Sequence, residues 1–191
     1  LANRVHSGVV IANKNLSTAN MLSKMLATDY YHTSSSSDIN GVEACAAIKN
    51  IFSMVIGAAS GLNKNRPKGN LYLNTSAALV KQSIYEMEIF TEFLKGKKDT
   101  VKGLAGLGDL YVSAAGGRNS QMGSFIGEGI VFSEAKKKKM PNVTVEGAEL
   151  IFEIGNKVKE DFDDKKLPLM IGMINAILED KELNIKWENF N

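Results

Sequence analysis

Cysteine is almost missing from this sequence: Cys45 stands alone among 191 residues. No disulfide can form within the chain, which fits a reducing cytoplasm. Set among apolar residues, Cys45 reads as a small core residue, not a nucleophile. Histidine is nearly as scarce. His6 and His32 lie far apart, with no Cys or carboxylate at metal-ligand spacing, so no metal is expected. No uncharged apolar run reaches the roughly 18 residues of a membrane span. The longest candidate, Ile51 to Leu62, is short and broken by Ser53, Gly57, Ser60 and Gly61. An excess of one charge is missing too. The net charge is +2, and dispersed lysines give no reason to propose nucleic acid. The one cluster, Lys136 to Lys139, reads as a solvated loop or helix end. The start lacks the basic-then-apolar pattern of a signal peptide and opens on Leu1, so the gene is expected to begin upstream. No Gly-x-Gly-x-x-Gly follows a strand near that start.

What is present is an ordinary globular composition, 44% hydrophobic and 23% charged. Val9-Val10-Ile11-Ala12 reads as a buried strand. Asn15 to Thr18 carries helix-capping chemistry, and Ala19 to Ala27 has helical spacing. Asp29 to His32 reads as a second strand and Thr33 to Ser37 as a linker. From Asp38 onward the pattern is helical. Asn40 with Glu43 forms a capping-box-like start. The helix that follows, through Val55, is apolar on nearly every face and is expected to be buried all round. Asn63 to Asn70 reads as a loop. Helices are expected over Ser76 to Leu94, Asn119 to Gly129, Glu146 to Lys159 and Leu169 to Glu179, with a Gly-rich stretch from Gly103 to Gly117. The expected division is an α/β segment, 1–37, and a helical domain, 38–191.

Three constellations could carry chemistry. Lys49-Asn50 sits in the apolar helix, where a lysine is costly unless paired. Its neighbours three and four residues away, Cys45, Ala46, Phe52 and Ser53, include no carboxylate, so a partner must come from elsewhere or from a ligand; alternatively the lysine snorkels to the surface. Gly103-Leu-Ala-Gly-Leu-Gly-Asp109 packs three glycines ahead of Asp109, which suggests tight turns or close backbone contact. Ser113-Ala-Ala-Gly-Gly-Arg118-Asn119 enters a helix, where backbone N–H groups and a guanidinium can meet an anion.

Taken in order, these segments resemble the C-terminal domain of the NAD-dependent glycerol-3-phosphate dehydrogenases, over roughly residues 1 to 160. The strongest parts are Gly41 to Asn50, Gly103 to Leu110 and Gly117-Arg118-Asn119, with Asn74 to Met87 resembling the intervening helix. The resemblance implies a mainly α fold of the 6-phosphogluconate-dehydrogenase-like type, preceded by a short α/β remnant of a Rossmann domain. It implies reduction of dihydroxyacetone phosphate to sn-glycerol 3-phosphate, feeding phospholipid synthesis, with NAD or NADP bound mainly by an N-terminal half. Lys49 is implied as the proton-transfer residue, and Asn50, Asp109, Ser113, Arg118 and Asn119 as further substrate contacts. Arg118, Thr144 and Glu146 are implied as cofactor contacts. A small phosphorylated molecule is the expected partner, and a homodimer is compatible with the resemblance. Two departures stand out: the spacing from Asp109 to Arg118 is shorter than in many bacterial members, and Gly117 replaces their serine. The rival readings are a related dehydrogenase with another substrate, and a non-catalytic oligomerisation module in which Lys49 would be exposed.

Overall fold

The structure is a computed structural model that describes residues 2–64 and 72–191. It is mostly helical, with one two-stranded parallel sheet, as the mainly α expectation required. The order is β1 (Ser7–Ala12), α1 (Leu16–Leu26), β2 (Tyr31–Ser36), α2 (Ile39–Leu62), α3 (Tyr72–Phe93), α4 (Lys98–Lys102), a π-helical turn (Leu104–Gly108), α5 (Asp109–Ala114), α6 (Arg118–Gly127), α7 (Phe132–Lys138), α8 (Glu146–Asp161) and α9 (Pro168–Leu178). The expected loop from Asn63 lies, from residue 65 on, outside the described residues. The chain forms two compact units. One takes the residues up to Ala46 with Met87–Asp109; the other takes Ala47–Glu86 with Leu110–Asn191.

In the first unit, β1 and β2 pair in parallel with Val9 opposite Thr33 and Ile11 opposite Ser35. The stretch Thr33 to Ser36, expected to be a linker, is therefore strand. Ladder hydrogen bonds to β1 outweigh the loop preference of serine, and Thr33 Oγ1 also donates to the Ser23 carbonyl at 2.8 Å. The same register closes the gap between the histidines: His6 Nδ1 and His32 Nε2 lie 2.9 Å apart. Asn15 caps α1, accepting from the Ser17 N–H at 3.0 Å.

The start of α2 is held by Asp38, not by Asn40. Asp38 Oδ1 accepts from the Gly41 N–H at 3.1 Å, while Oδ2 accepts from the Lys97 N–H at 2.9 Å and the Thr100 hydroxyl at 2.6 Å. Burial works against the charged form, but these donors prevail and hold the Asp38 carboxyl below its ordinary value. Asn40 instead donates to the Leu94 carbonyl at 3.1 Å. Helix α2 is also not buried all round, since Glu43, Ala46 and Ala47 are exposed. By length and composition α2 could cross a membrane, yet 67% of its apolar window is packed inside the protein, as in a core helix.

The second unit is built on close backbone approach. A Cβ at Gly57 or Gly61 of α2 would stand 2.1 Å from the Ser120 or Ser124 carbonyl oxygen of α6. A Cβ at Gly123 or Gly127 of α6 would stand 1.8 or 2.3 Å from the Met54 or Ala58 oxygen of α2. Neither helix could approach so far with any other residue at these points. Helix α9 buries Leu169, Met170, Met173, Ile174 and Ile177. Its first N–H groups meet Glu86, a fully buried side chain of α3. Oε1 of Glu86 accepts from Leu169 at 2.9 Å and Oε2 from Met170 at 2.8 Å. Gln82 Nε2 adds a third donor at 3.1 Å. Lys136 to Lys138 form the last turn of α7, where cations suit the helix dipole.

Candidate functional site

The glycine-mediated crossing of α2 and α6 brings Asn50 to the start of α6. Helix α6 begins after Gly117, which gives no side-chain cap, and Gly116 holds φ +143°, a conformation that suits only glycine. A third helix arrives with the start of α8: a Cβ at Gly147 would stand 2.7 Å from the Asn50 carbonyl oxygen. Three backbones thus converge on Asn50, Asn119 and Glu146.

Asn119 is buried and joins all three. Its Oδ1 accepts from the Gly147 N–H at 2.9 Å. A backbone N–H can only donate, so this bond fixes which way the amide faces. Nδ2 then donates to Asn50 Oδ1 and to Glu146 Oε2, each at 3.2 Å. Arg118 Nη2 donates to Glu146 Oε1, closing an ion pair in which the arginine is more than half exposed and the glutamate about a third. The guanidinium lies at the surface, at the start of α6, where an anion could reach it.

Of the residues singled out in the sequence, the structure brings together Asn50, Arg118, Asn119 and Glu146. Lys49, their chain neighbour on α2, is half-buried, so it is not the exposed lysine of an oligomerisation module. Ser113 is half-buried in α5, and its carbonyl lies 2.9 Å from where a Gly117 Cβ would stand, beside the start of α6. Thr144 is exposed in the segment leading into α8. Asp109, in the first unit, is half-buried at the start of α5, directly after the π-helical turn. Within that turn Gly106 lies against the Val101 carbonyl, where a Cβ would stand 2.1 Å away. Gly147 was not singled out as a site residue, although its N–H anchors Asn119; the Val-Glu-Gly at a helix start was the available signal. Among the described residues, no group of three or more His, Cys, Asp or Glu could hold a metal ion.

The fold has solved counterparts. It superimposes on glycerol-3-phosphate dehydrogenase of Coxiella burnetii with a TM-score of 0.77 and 27% identity, over 95% of this chain and 53% of that one. At 20% identity the enzyme of Saccharomyces cerevisiae shares the fold, with a TM-score of 0.77 over 98% of this chain and 54% of its own. The class is therefore, by fold, the one that these two proteins share over about half of their length. Residues 38–186 match the family described as NAD-dependent glycerol-3-phosphate dehydrogenase C-terminus, and the chain belongs to that family. Similar relatives include the NADP(+)-dependent glycerol-3-phosphate dehydrogenase of Archaeoglobus fulgidus, 30% identical over 84% of this chain and 49% of that protein. Glycerol-3-phosphate dehydrogenase [NAD(P)+] of Zymomonas mobilis is 30% identical over 96% of this chain and 51% of its own length. The chain spans about half the length of the relatives it matches.

Proposed function

We propose that this chain is the substrate-binding part of a cytoplasmic enzyme that interconverts dihydroxyacetone phosphate and sn-glycerol 3-phosphate with NAD(P)H. The observation that carries the proposal is the convergence of Arg118, Asn119 and Asn50 at an uncapped helix start, within a chain of this family. The substrate's phosphate sits against Arg118, whose planar fork offers two parallel donors, and beside Asn119. Holding the phosphate positions the carbonyl for reaction. Lys49, next to Asn50 on α2, supplies the proton to the alkoxide oxygen during reduction and takes it back in the reverse direction. Asn50 and Ser113 offer hydrogen bonds to the rest of the substrate, and Asp109 enters the proposal through the resemblance alone. The domain division falls between 37 and 38, a boundary supported by the start of the family match at residue 38.

The donor set suits a dinucleotide as well. Arg118 can meet its phosphates, and the Thr144 hydroxyl and Glu146 carboxylate, at the exposed entry to α8, can meet its hydroxyl and amide groups. When bound, NAD(P)H supplies the hydride.

The test is kcat/KM for dihydroxyacetone phosphate in the full-length protein. Arg118→Lys keeps the charge but not the fork. Losing one charge-assisted hydrogen bond costs about 1.5–3 kcal/mol, so efficiency should fall by about one to two powers of ten. Arg118→Ala should cost more. Equal values for all three proteins would remove Arg118 from the site and the phosphate with it.

A further inference from the structure

Arg118 and Asn119 are the two side chains on which the phosphate reading rests, and one carboxylate engages both of them here. Oε1 of Glu146 receives Arg118 Nη2, and Oε2 receives Asn119 Nδ2 at 3.2 Å. The second hydrogen of that amide goes to Asn50 at 3.2 Å, so the side chain of Asn119 has no donor left over. A phosphate seated on Arg118 Nη2 and the Asn119 amide together needs the two donors that Glu146 engages here. It also meets a like charge, so the two anions compete for one guanidinium.

Which of the two moves follows from how each is held. Asn119 is buried and stays tied to the Gly147 N–H at 2.9 Å and to Asn50 whether or not Glu146 is present. Arg118, on the first turn of α6, is the cation that both anions seek and remains the common partner whichever of them it holds. Glu146 is the first residue of α8, and its side chain is 36% exposed. A change of rotamer carries it into solvent without disturbing either helix. Its charge remains favourable at the N-terminus of α8 after it lets go.

We infer that Glu146 is a built-in competitor of the substrate phosphate: its carboxylate occupies the Arg118–Asn119 seat in the unliganded protein, and substrate binding displaces it. The inference rests on the phosphate reading above and adds what governs affinity at that seat. Affinity is set by the fraction of molecules in which Glu146 has swung away, and not by Arg118 alone. A supporting role for Glu146, simply bracing Arg118, predicts the opposite sign when its charge is removed.

Calorimetric titration of inorganic phosphate into the full-length protein, free of cofactor, separates the two. Glu146→Gln removes the charge and keeps an acceptor for Asn119. It should tighten phosphate binding about five-fold, the upper range for an exposed ion pair. Glu146→Asp is one methylene shorter and keeps a carboxylate at the start of α8. It should gain part of that affinity, and it carries the test if the Gln variant does not fold. Structural damage does not tighten binding, and a gain in Glu146→Asp, which keeps the negative charge, separates displacement of the carboxylate from mere loss of a nearby charge. Unchanged or weaker binding in the variants overturns the inference and leaves the phosphate seat standing. Wild-type binding in Arg118→Ala, or no binding in any variant, overturns the phosphate seat itself.

Discussion

Glu86 lies sealed at 0% exposure beneath the start of α9, under two opposing pulls. Burial pushes its carboxyl up, from 4.5 to about 7, against the N–H groups of Leu169 and Met170 and the Gln82 amide, which favour the anion. Because the folded state binds this proton more tightly than the unfolded chain, the contribution to stability is fully present below about pH 4.5. It declines as pH rises and is gone above about 7. Glu86→Gln has no such titration. Urea denaturation of wild type and variant across this range should show wild type losing up to a few kcal/mol relative to the variant as pH rises. A difference independent of pH would show that the three donors keep Glu86 ionised throughout. Nothing in the sequence marked Glu86, because an acidic residue in a helical pattern normally faces water. Only the arrival of α9, 83 residues later, turns it into a buried cap.

Among the elements, the crossing of α2 and α6 does most to place the candidate site, since it sets Asn50 against Asn119. Gly123→Ala would put a Cβ 1.8 Å from the Met54 carbonyl, a clash with backbone that no rotamer relieves. Forced overpacking of this kind costs about 1–3 kcal/mol, so the thermal midpoint should drop by several degrees, at about 2–4 °C per kcal/mol for a chain of this size. Gly103→Ala is the matched control: its Cβ would meet only the Thr100 carbonyl, at 3.5 Å, and the midpoint should hold or rise slightly. Equal losses in the two variants would mean that the crossing is not glycine-locked. The long helices were legible because their periodicity is local. The second strand was legible only at its start: Asp29 to His32 read as strand, but Thr33 to Ser36 did not, because the partner, β1, lies a helix away in sequence and serines signal loop when read locally.

For the whole molecule, the question is what this chain does by itself. It spans about half the length of its relatives, and α1 leaves Met21, Met25 and Leu26 largely exposed, an apolar flank of the kind that a larger α/β domain would cover. The purified 191-residue chain should therefore not oxidise NADH or NADPH in the presence of dihydroxyacetone phosphate. A spectrophotometric assay showing clear substrate-dependent oxidation would place the complete active site within these residues and end the half-enzyme reading.

Family, helical class and the order of the motifs could all be read along the chain, because each depends on residues that are neighbours in sequence. Lys49-Asn50, the glycines before Asp109 and the Gly-Gly-Arg-Asn segment are short runs whose chemistry does not wait for folding. The connections between them were decided in three dimensions. Asn119 faces Gly147 and Asn50, Arg118 spends its charge on Glu146, and Asp38 takes the capping role that Asn40 was expected to fill. These partners lie from 3 to 69 residues apart. Hydrogen bonds and ion pairs are decided by which atoms come within about 3 Å of each other, and in the second unit that proximity was set by glycines letting three backbones meet.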